Sequence, residues 1–349
     1  MLSRMDRTRS NDAHGAPKWF SSPVTYLEGP LAVLRELIPT FQRRSLGLAN
    51  RDNTHTRLHP TLDLIVRCPV PPDEDYVPVG TVSKGYTLVP HQQVLDAVHG
   101  VLRSNHIVED DIDATLAVTE FGERMALSVC LPKEYCFDPG DGHKLTLRIE
   151  CLNSVDGTTR LQMLMGWFRF VCGNGLVLGV ATRDIRRRHS PTLTLDGIPE
   201  AFSEGLEDAK AERTLLTAWR GIPVGPREVG DWADTHVCPK WGFKAASRAF
   251  HIATTGCDAE VAPKRRGDYP TTAEVRSIAR VPGAPACSAN LFDISQVLAW
   301  LAKERRDLQE QLDWRGQIPS LLEALAPNNR TVGGRMRTQD ELQAESLPD

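Results

Sequence analysis

The sequence of 349 residues lacks several features that would assign a class of protein directly. It contains no apolar run near the ~20 residues that a membrane-spanning helix requires, so no membrane association is expected. The first eighteen residues are polar and lack the apolar core of a secretory signal. The eight cysteines form no C-x-x-C pair and are scattered along the chain, as is typical of a reducing compartment. These absences together predict a cytoplasmic protein.

The chain also lacks a charge of one sign and a recognisable catalytic motif. Its 41 Lys and Arg residues face 45 Asp and Glu residues, and the net charge of −4 leaves room only for a local basic patch. Gly80 and Gly85 have the spacing of a phosphate-binding loop, but Tyr86 occupies the position where that loop needs a lysine. We therefore expect no cofactor, and a non-enzymatic function is favoured over catalysis.

Alternating apolar residues dominate the middle of the chain. Residues 125–131 and 145–151 place an apolar side chain at every second position, which predicts half-buried strands. Pro90 opens an amphipathic helix over 90–104, because a first-turn proline loses no hydrogen bond there. The pattern predicts an α+β fold: a mostly antiparallel sheet over about residues 63–190, packed with a helix and followed by a helical C-terminal region.

This pattern divides the chain into four parts. We expect a disordered tail over 1–22, a sheet domain over 23–198, a helical region over 199–325 and a second disordered tail over 326–349. Within them, 42–57 is predicted to be a loop that carries four arginines, and 262–290 a second loop. Residues 293–313 are predicted to form one long amphipathic helix.

Four motifs resemble one known family. They are Val82-Ser83-Lys84-x-Tyr86-x-Leu88-Val89, then Asn153-Ser154-x-Asp156-Gly157, then Trp167-Phe168-Arg169-x-Val171-Cys172-x-Asn174-Gly175-Leu176, and finally Arg188-His189. In this order they resemble the phage/plasmid-like domain-of-unknown-function family 932, over roughly residues 60–255. The resemblance implies a gene carried on phages, plasmids or integrated elements. It implies no activity.

A basic segment at 182–190 is the strongest candidate for a binding site. It holds four arginines within six positions, and the planar guanidinium group suits phosphate recognition. The neighbouring strand offers aromatic rings, and rings beside cations on a sheet can stack single-stranded bases. The predicted nucleic-acid-binding residues are Arg183, Arg186, Arg187, Arg188, His189, Trp167, Phe168, Phe170 and Arg169.

The favoured hypothesis is therefore a mobile-element protein that binds DNA, preferably single-stranded, in replication or recombination, with homo-oligomerisation as a further expectation. One alternative is a protein–protein module, such as a host-defence antagonist or plasmid-maintenance partner, that uses acidic 199–212 and the helix at 293–313. Another is a metal-dependent nuclease that uses the carboxylates of Glu109, Asp110, Asp111 and Asp113.

Overall fold

The computed structural model describes residues 4–5 and 24–326, except 53–54, 71–74, 141, 171–176 and 306. Side chains at 4–5, 169–170, 177–183 and 210 also lie outside the description. Apart from Arg4–Met5 and Ala326, the two tails predicted over 1–22 and 326–349 lie outside the described residues, as does the Asn174-Gly175 turn.

The centre of the fold is an eight-stranded antiparallel sheet, and the predicted α+β class is confirmed. Its strand order is β1-β2-β6-β7-β9-β10-β11, with the short β8 paired to β9. The alternating segments found in the sequence form β7 and β9, which pair along their length. The strands are β1 (Arg4–Met5), β2 (Val24–Glu28), β6 (Asp113–Thr119), β7 (Arg124–Cys130), β8 (Cys136–Phe137), β9 (Leu145–Ser154), β10 (Leu161–Phe170) and β11 (Val177–Arg187).

Both faces of this sheet are covered by helices. On the inner face, Leu127, Ile149 and Met163 belong to one core with the apolar stripe of α2, which spans His91–Ser104 and follows Pro90 as predicted. On the outer face, Leu152 and Leu164 pack with Leu312 of a C-terminal helix. Successive strand residues point to opposite faces, so one strand supplies both layers.

A separate three-stranded sheet corrects the loop predicted over 42–57. Its order is β3-β4-β5, and the strands span Phe41–Ala49, Thr56–Arg67 and Val77–Ser83. The distal part of the β3–β4 hairpin is exposed on both faces, with Leu48 and Leu58 among its exposed residues. A ribbon without a buried face has no need of apolar alternation, so the sequence pattern could not indicate it.

The C-terminal region is helical, but its boundaries differ from the predicted ones. The helix predicted over 293–313 is two helices, because the Asp307 carboxylate accepts hydrogen bonds from the amides of Gln309 and Glu310 and begins a new helix. A strand, β13, crosses the loop predicted over 262–290. The remaining elements are α1 (Leu31–Leu37), α3 (Ile198–Trp219), α4 (Pro226–Trp232), a π-helical turn (Ala233–Val237), α5 (Cys238–Trp241), α6 (Phe243–Thr255), β12 (Cys257–Val261), β13 (Val275–Arg280), α7 (Leu291–Lys303) and α8 (Leu308–Leu325).

Candidate functional site

Arg186, at the centre of the predicted basic segment, is held by two carboxylates. Its Nη2 lies 2.5 Å from Asp184 Oδ2, and its Nη1 lies 2.8 Å from Asp313 Oδ1. Asp184 belongs to β11 and Asp313 to α8, so the arginine joins the edge of the sheet to the covering helix. The two carboxylates of the protein itself neutralise this charge, although Arg186 is exposed, and the contacts give the arginine a role in holding α8 to the sheet.

Two further members of the segment are also engaged. Arg187 donates to the carbonyl oxygens of Thr194 and Asp196. His189 is buried, its Nδ1 donates to the Thr87 carbonyl at 3.0 Å, and burial lowers the pKa of its imidazole. Arg188 is exposed, and its guanidinium group forms no hydrogen bond or ion pair with the described residues. The side chain of Arg183 lies outside the described part of the chain.

The aromatic rings expected to stack on bases are not accessible. Trp167 is 4% exposed and packs edge-on against Phe137, while Phe168 is 1% exposed beneath α8. The side chains of Arg169 and Phe170 lie outside the described residues. The correction has a simple cause: neighbouring strand positions face the two helical layers in turn, and both layers are closed at these rings.

Residues from three of the four motifs that carry the family resemblance, together with His91 of α2, meet in one place, which we call the motif junction: Tyr86, His91, Asn153, Asp156 and His189. The Tyr86 ring stacks on His189 with 4.8 Å between ring centres, and the Tyr86 hydroxyl donates to the Ser154 carbonyl at 2.9 Å. Asn153 donates to the Val89 carbonyl at 3.0 Å. These contacts fix the segment between β5 and α2 onto the end of β9.

Two buried charged or titratable groups define the electrostatics of the motif junction. Asp156 pairs with Arg124 at 3.0 Å. His91 is fully buried, its Nε2 donates to the Gly122 carbonyl at 2.8 Å, and its Nδ1 accepts from Asn153 at 2.9 Å. Burial lowers the pKa of His91 to about 4, so the imidazole is neutral at physiological pH.

The motif junction brings two exposed cations onto neighbouring segments. The Thr87 amide donates to the His189 carbonyl at 3.1 Å, so the backbone beside Lys84 runs next to the backbone beside Arg188. Lys84 and Arg188 are both exposed. The two residues of the Arg-His motif therefore differ in environment, since His189 is buried and hydrogen-bonded while Arg188 is exposed to solvent.

The β3–β4 hairpin carries the exposed cations that the sequence had placed in a loop. Arg51 and Arg57 are exposed and have no side-chain partner among the described residues. Arg44 lies over the ring of Tyr76 at 3.9 Å, and that ring is 43% exposed. We call Arg44, Arg51, Arg57, Tyr76 and Lys84 the hairpin surface. Four arginines within 42–57 were a visible signal for it, but the segment's pairing was not.

Arg43, the fourth of these arginines, holds the hairpin to the body of the protein. Its guanidinium group lies 3.9 Å from Asp63 and donates to the carbonyls of Lys84 and Tyr86. Arg43 therefore connects the hairpin directly to Tyr86 of the motif junction.

The residues of the two alternative hypotheses are placed differently. Helix α7 is buried along almost its whole length, which removes most of 293–313 as a contact surface. The acidic side chains Glu204 and Glu207 of α3 are exposed. Glu109 pairs with His99, and within the described ranges no group of three or more His, Cys, Asp or Glu side chains could hold a metal ion.

The fold and surface define a class: an α+β protein with helices on both sides of its sheet and a basic ribbon that extends from it. The chain belongs to the family described as Domain of unknown function (DUF932), whose match covers residues 78–265, more than half of its length. The motif junction lies within this match, whereas β3 and β4 precede it. No match was found among the curated proteins or the solved structures. Among the described helices, none combines the length and apolarity needed to cross a membrane.

Proposed function

We propose that this protein binds DNA, preferably single-stranded, as a non-enzymatic component of replication or recombination of a phage- or plasmid-like element. The observation that supports the proposal is the hairpin surface, where Arg51 and Arg57 project into solvent without a carboxylate partner in the described chain. The proposed contact site is the hairpin surface rather than the basic segment predicted at 182–190, because two carboxylates already neutralise Arg186 at the centre of that segment.

The chemistry of the hairpin surface suits a phosphate backbone. A guanidinium group presents several donors in a plane and stays charged at all physiological pH values. The two-stranded ribbon of 9 and 12 residues carries three guanidinium groups of the hairpin surface, Arg44 and Arg57 on its strands and Arg51 in the turn that joins them. A local cationic ribbon is compatible with a net charge of −4, since the potential near a surface follows the nearest charges.

Tyr76 favours a single strand over a duplex. Its half-exposed ring carries Arg44 on one face, so an aromatic surface and a cation lie side by side. Unpaired bases can stack on such a ring, and each base–aromatic stack contributes about 1–3 kcal/mol. A duplex offers no free base faces, so it would gain only the phosphate contacts.

The test is a fluorescence-anisotropy titration of the full-length protein with a labelled single strand and the matching duplex. If Arg44, Arg51, Arg57 and Lys84 each neutralise one phosphate, the salt slope of the single-strand affinity is about −2.8. The affinity then falls about fifty-fold between 50 and 200 mM salt. Tyr76→Ala should narrow the preference for the single strand without changing that slope.

The test variant is Arg51→Ala/Arg57→Ala, which should lower the affinity, and its matched control is the double variant Arg103→Ala/Arg227→Ala. These two arginines are exposed on α2 and α4, so the variant loses the same net charge without touching the hairpin surface. It should bind as the wild type does. A salt-independent titration, or an equal loss of affinity in the control, would contradict the proposal.

A further inference from the structure

A second group of cations lies buried on the outer face of the main sheet. Arg148 and Glu150 are two residues apart on β9, and Ser128 lies directly opposite Glu150 on β7. Arg148 Nη2 is 3.4 Å from Glu150 Oε1, and the Ser128 hydroxyl donates to the same oxygen at 3.0 Å. One carboxylate is therefore shared by an arginine and a serine.

Helix α8 adds another arginine to this group. The guanidinium carbon of Arg315 lies 5.3 Å from the centre of the Phe168 ring, and that of Arg148 lies 5.8 Å from the same centre. Arg315 is 6% exposed, and its guanidinium group makes no hydrogen bond or ion pair with any described residue. We call Ser128, Arg148, Glu150, Phe168 and Arg315 the arginine cluster.

The charges of the arginine cluster do not balance. Among the described side chains, the guanidinium groups of Arg148 and Arg315 face the one carboxylate of Glu150, and arginine does not lose its proton in proteins. Burial and the neighbouring Arg148 lower the pKa of Arg315, whereas Glu150 raises it. A buried cation without an anionic partner is strongly unfavourable, and the Phe168 ring compensates only part of this cost, so an additional anion would complete the cluster.

We propose that the arginine cluster is a binding site for a phosphate group. Tetrahedral oxyanions match the fork of donors on a guanidinium group, and two such groups on one face of the sheet favour phosphate over a single carboxylate. The phosphate group could belong to a small molecule, such as pyrophosphate or a nucleotide, or to the 5′ end of a DNA strand. The site is separate from the hairpin surface and does not depend on it.

The experiment follows thermal unfolding of the full-length protein with increasing pyrophosphate, against sodium chloride at equal ionic strength. A ligand that binds the folded state raises the unfolding midpoint with its concentration. We expect this rise in the wild type and its loss in Arg315→Met, with affinity about ten- to hundredfold lower. Arg103→Met, on the opposite side of the sheet, should keep the full response.

Without added anion, Arg315→Met should be at least as stable as the wild type. A lost pyrophosphate response in this variant therefore reports lost binding and not a damaged fold. Replacing a buried charge by an apolar side chain of similar length is often neutral or stabilising. If Arg315→Met does not fold, Arg315→Lys serves instead, since it keeps the charge but loses the fork. The proposal is overturned if the wild type shows no pyrophosphate-specific rise or if the folded Met or Lys variant keeps it undiminished.

The source of the phosphate is distinguished by comparing ATP and 5′-phosphorylated and 5′-hydroxyl oligonucleotides. A strand-end site gives a preference for the phosphorylated oligonucleotide that Arg315→Met removes, whereas a small-molecule site responds to ATP and not to the strand end. The same titrations with Arg51→Ala/Arg57→Ala separate this site from the hairpin surface, because that variant should weaken general DNA binding and keep the pyrophosphate response.

Discussion

His91 makes the stability of the motif junction depend on pH. The imidazole has a pKa of about 4 in the folded protein, against the ordinary value of 6.5 in the unfolded chain. Between these values the unfolded state binds more protons than the folded state. The contribution of His91 is therefore fully present above pH 6.5 and is lost progressively as the pH falls to about 4.

The expected size of the effect follows from this difference in pKa. Protonating a fully buried imidazole that accepts a hydrogen bond from Asn153 removes that bond and introduces a charge into the core. Between neutral pH and about pH 4.5, His91 should account for a loss of about 2.5 kcal/mol in the free energy of unfolding. The pKa of His189 is also lowered by burial, so the total acid sensitivity should be larger.

Urea unfolding of the wild type and of His91→Gln at the two pH values isolates this contribution. Glutamine can still donate to the Gly122 carbonyl but does not titrate, and the other ionisable groups are common to both proteins. The wild type should lose about 2.5 kcal/mol more than the variant on acidification. A difference between the two proteins that stays constant with pH would refute the neutral, buried state of His91.

Three further predictions concern the hairpin, the α8 contact and the approach of the two sheets. Arg51→Ala/Arg57→Ala should reduce the salt slope of single-strand binding to about −1.4, measured by anisotropy at several salt concentrations. Asp313→Ala should lower the free energy of unfolding in urea by about 1 kcal/mol, because Arg186 loses a partly exposed partner. An unchanged free energy of unfolding would mean that the Arg186–Asp313 ion pair does not contribute to stability. Gly80→Ala should cost about 1–3 kcal/mol in the same assay, since its Cβ would lie 2.7 Å from a backbone Cα of the opposing turn. A neutral effect would mean that the turn can move.

The strands of the main sheet were predictable because their signal is local. Met125, Leu127 and Val129 alternate along β7, and each faces the core that the alternation implied. The helix after Pro90 was predictable for the same reason, since its apolar stripe repeats within a few turns. The short β2, which pairs with β6 at the other side of the sheet, has only five residues and no comparable pattern.

The candidate sites were harder to predict, because their residues come from distant parts of the chain. Four arginines in six positions marked 183–188 as basic, but the sequence did not show that Asp313 would neutralise Arg186. Likewise, Arg315 had no feature that separated it from other helical arginines until α8 placed it against Phe168. The resemblance motifs identified Tyr86, Asn153, Asp156 and His189 of the motif junction, but they indicated neither His91 nor the contacts among these residues.

Local periodicity alone therefore determined the class of fold, the position of the main strands and the helix that packs on them. The tertiary structure decided which cations are neutralised by a carboxylate, because pairing depends on what each side chain meets across the fold. Arg186 and Asp313 meet from 127 residues apart, whereas Arg57 lies on a ribbon whose distal faces are both open to water. Charge in the sequence and charge available to a partner differ for this physical reason.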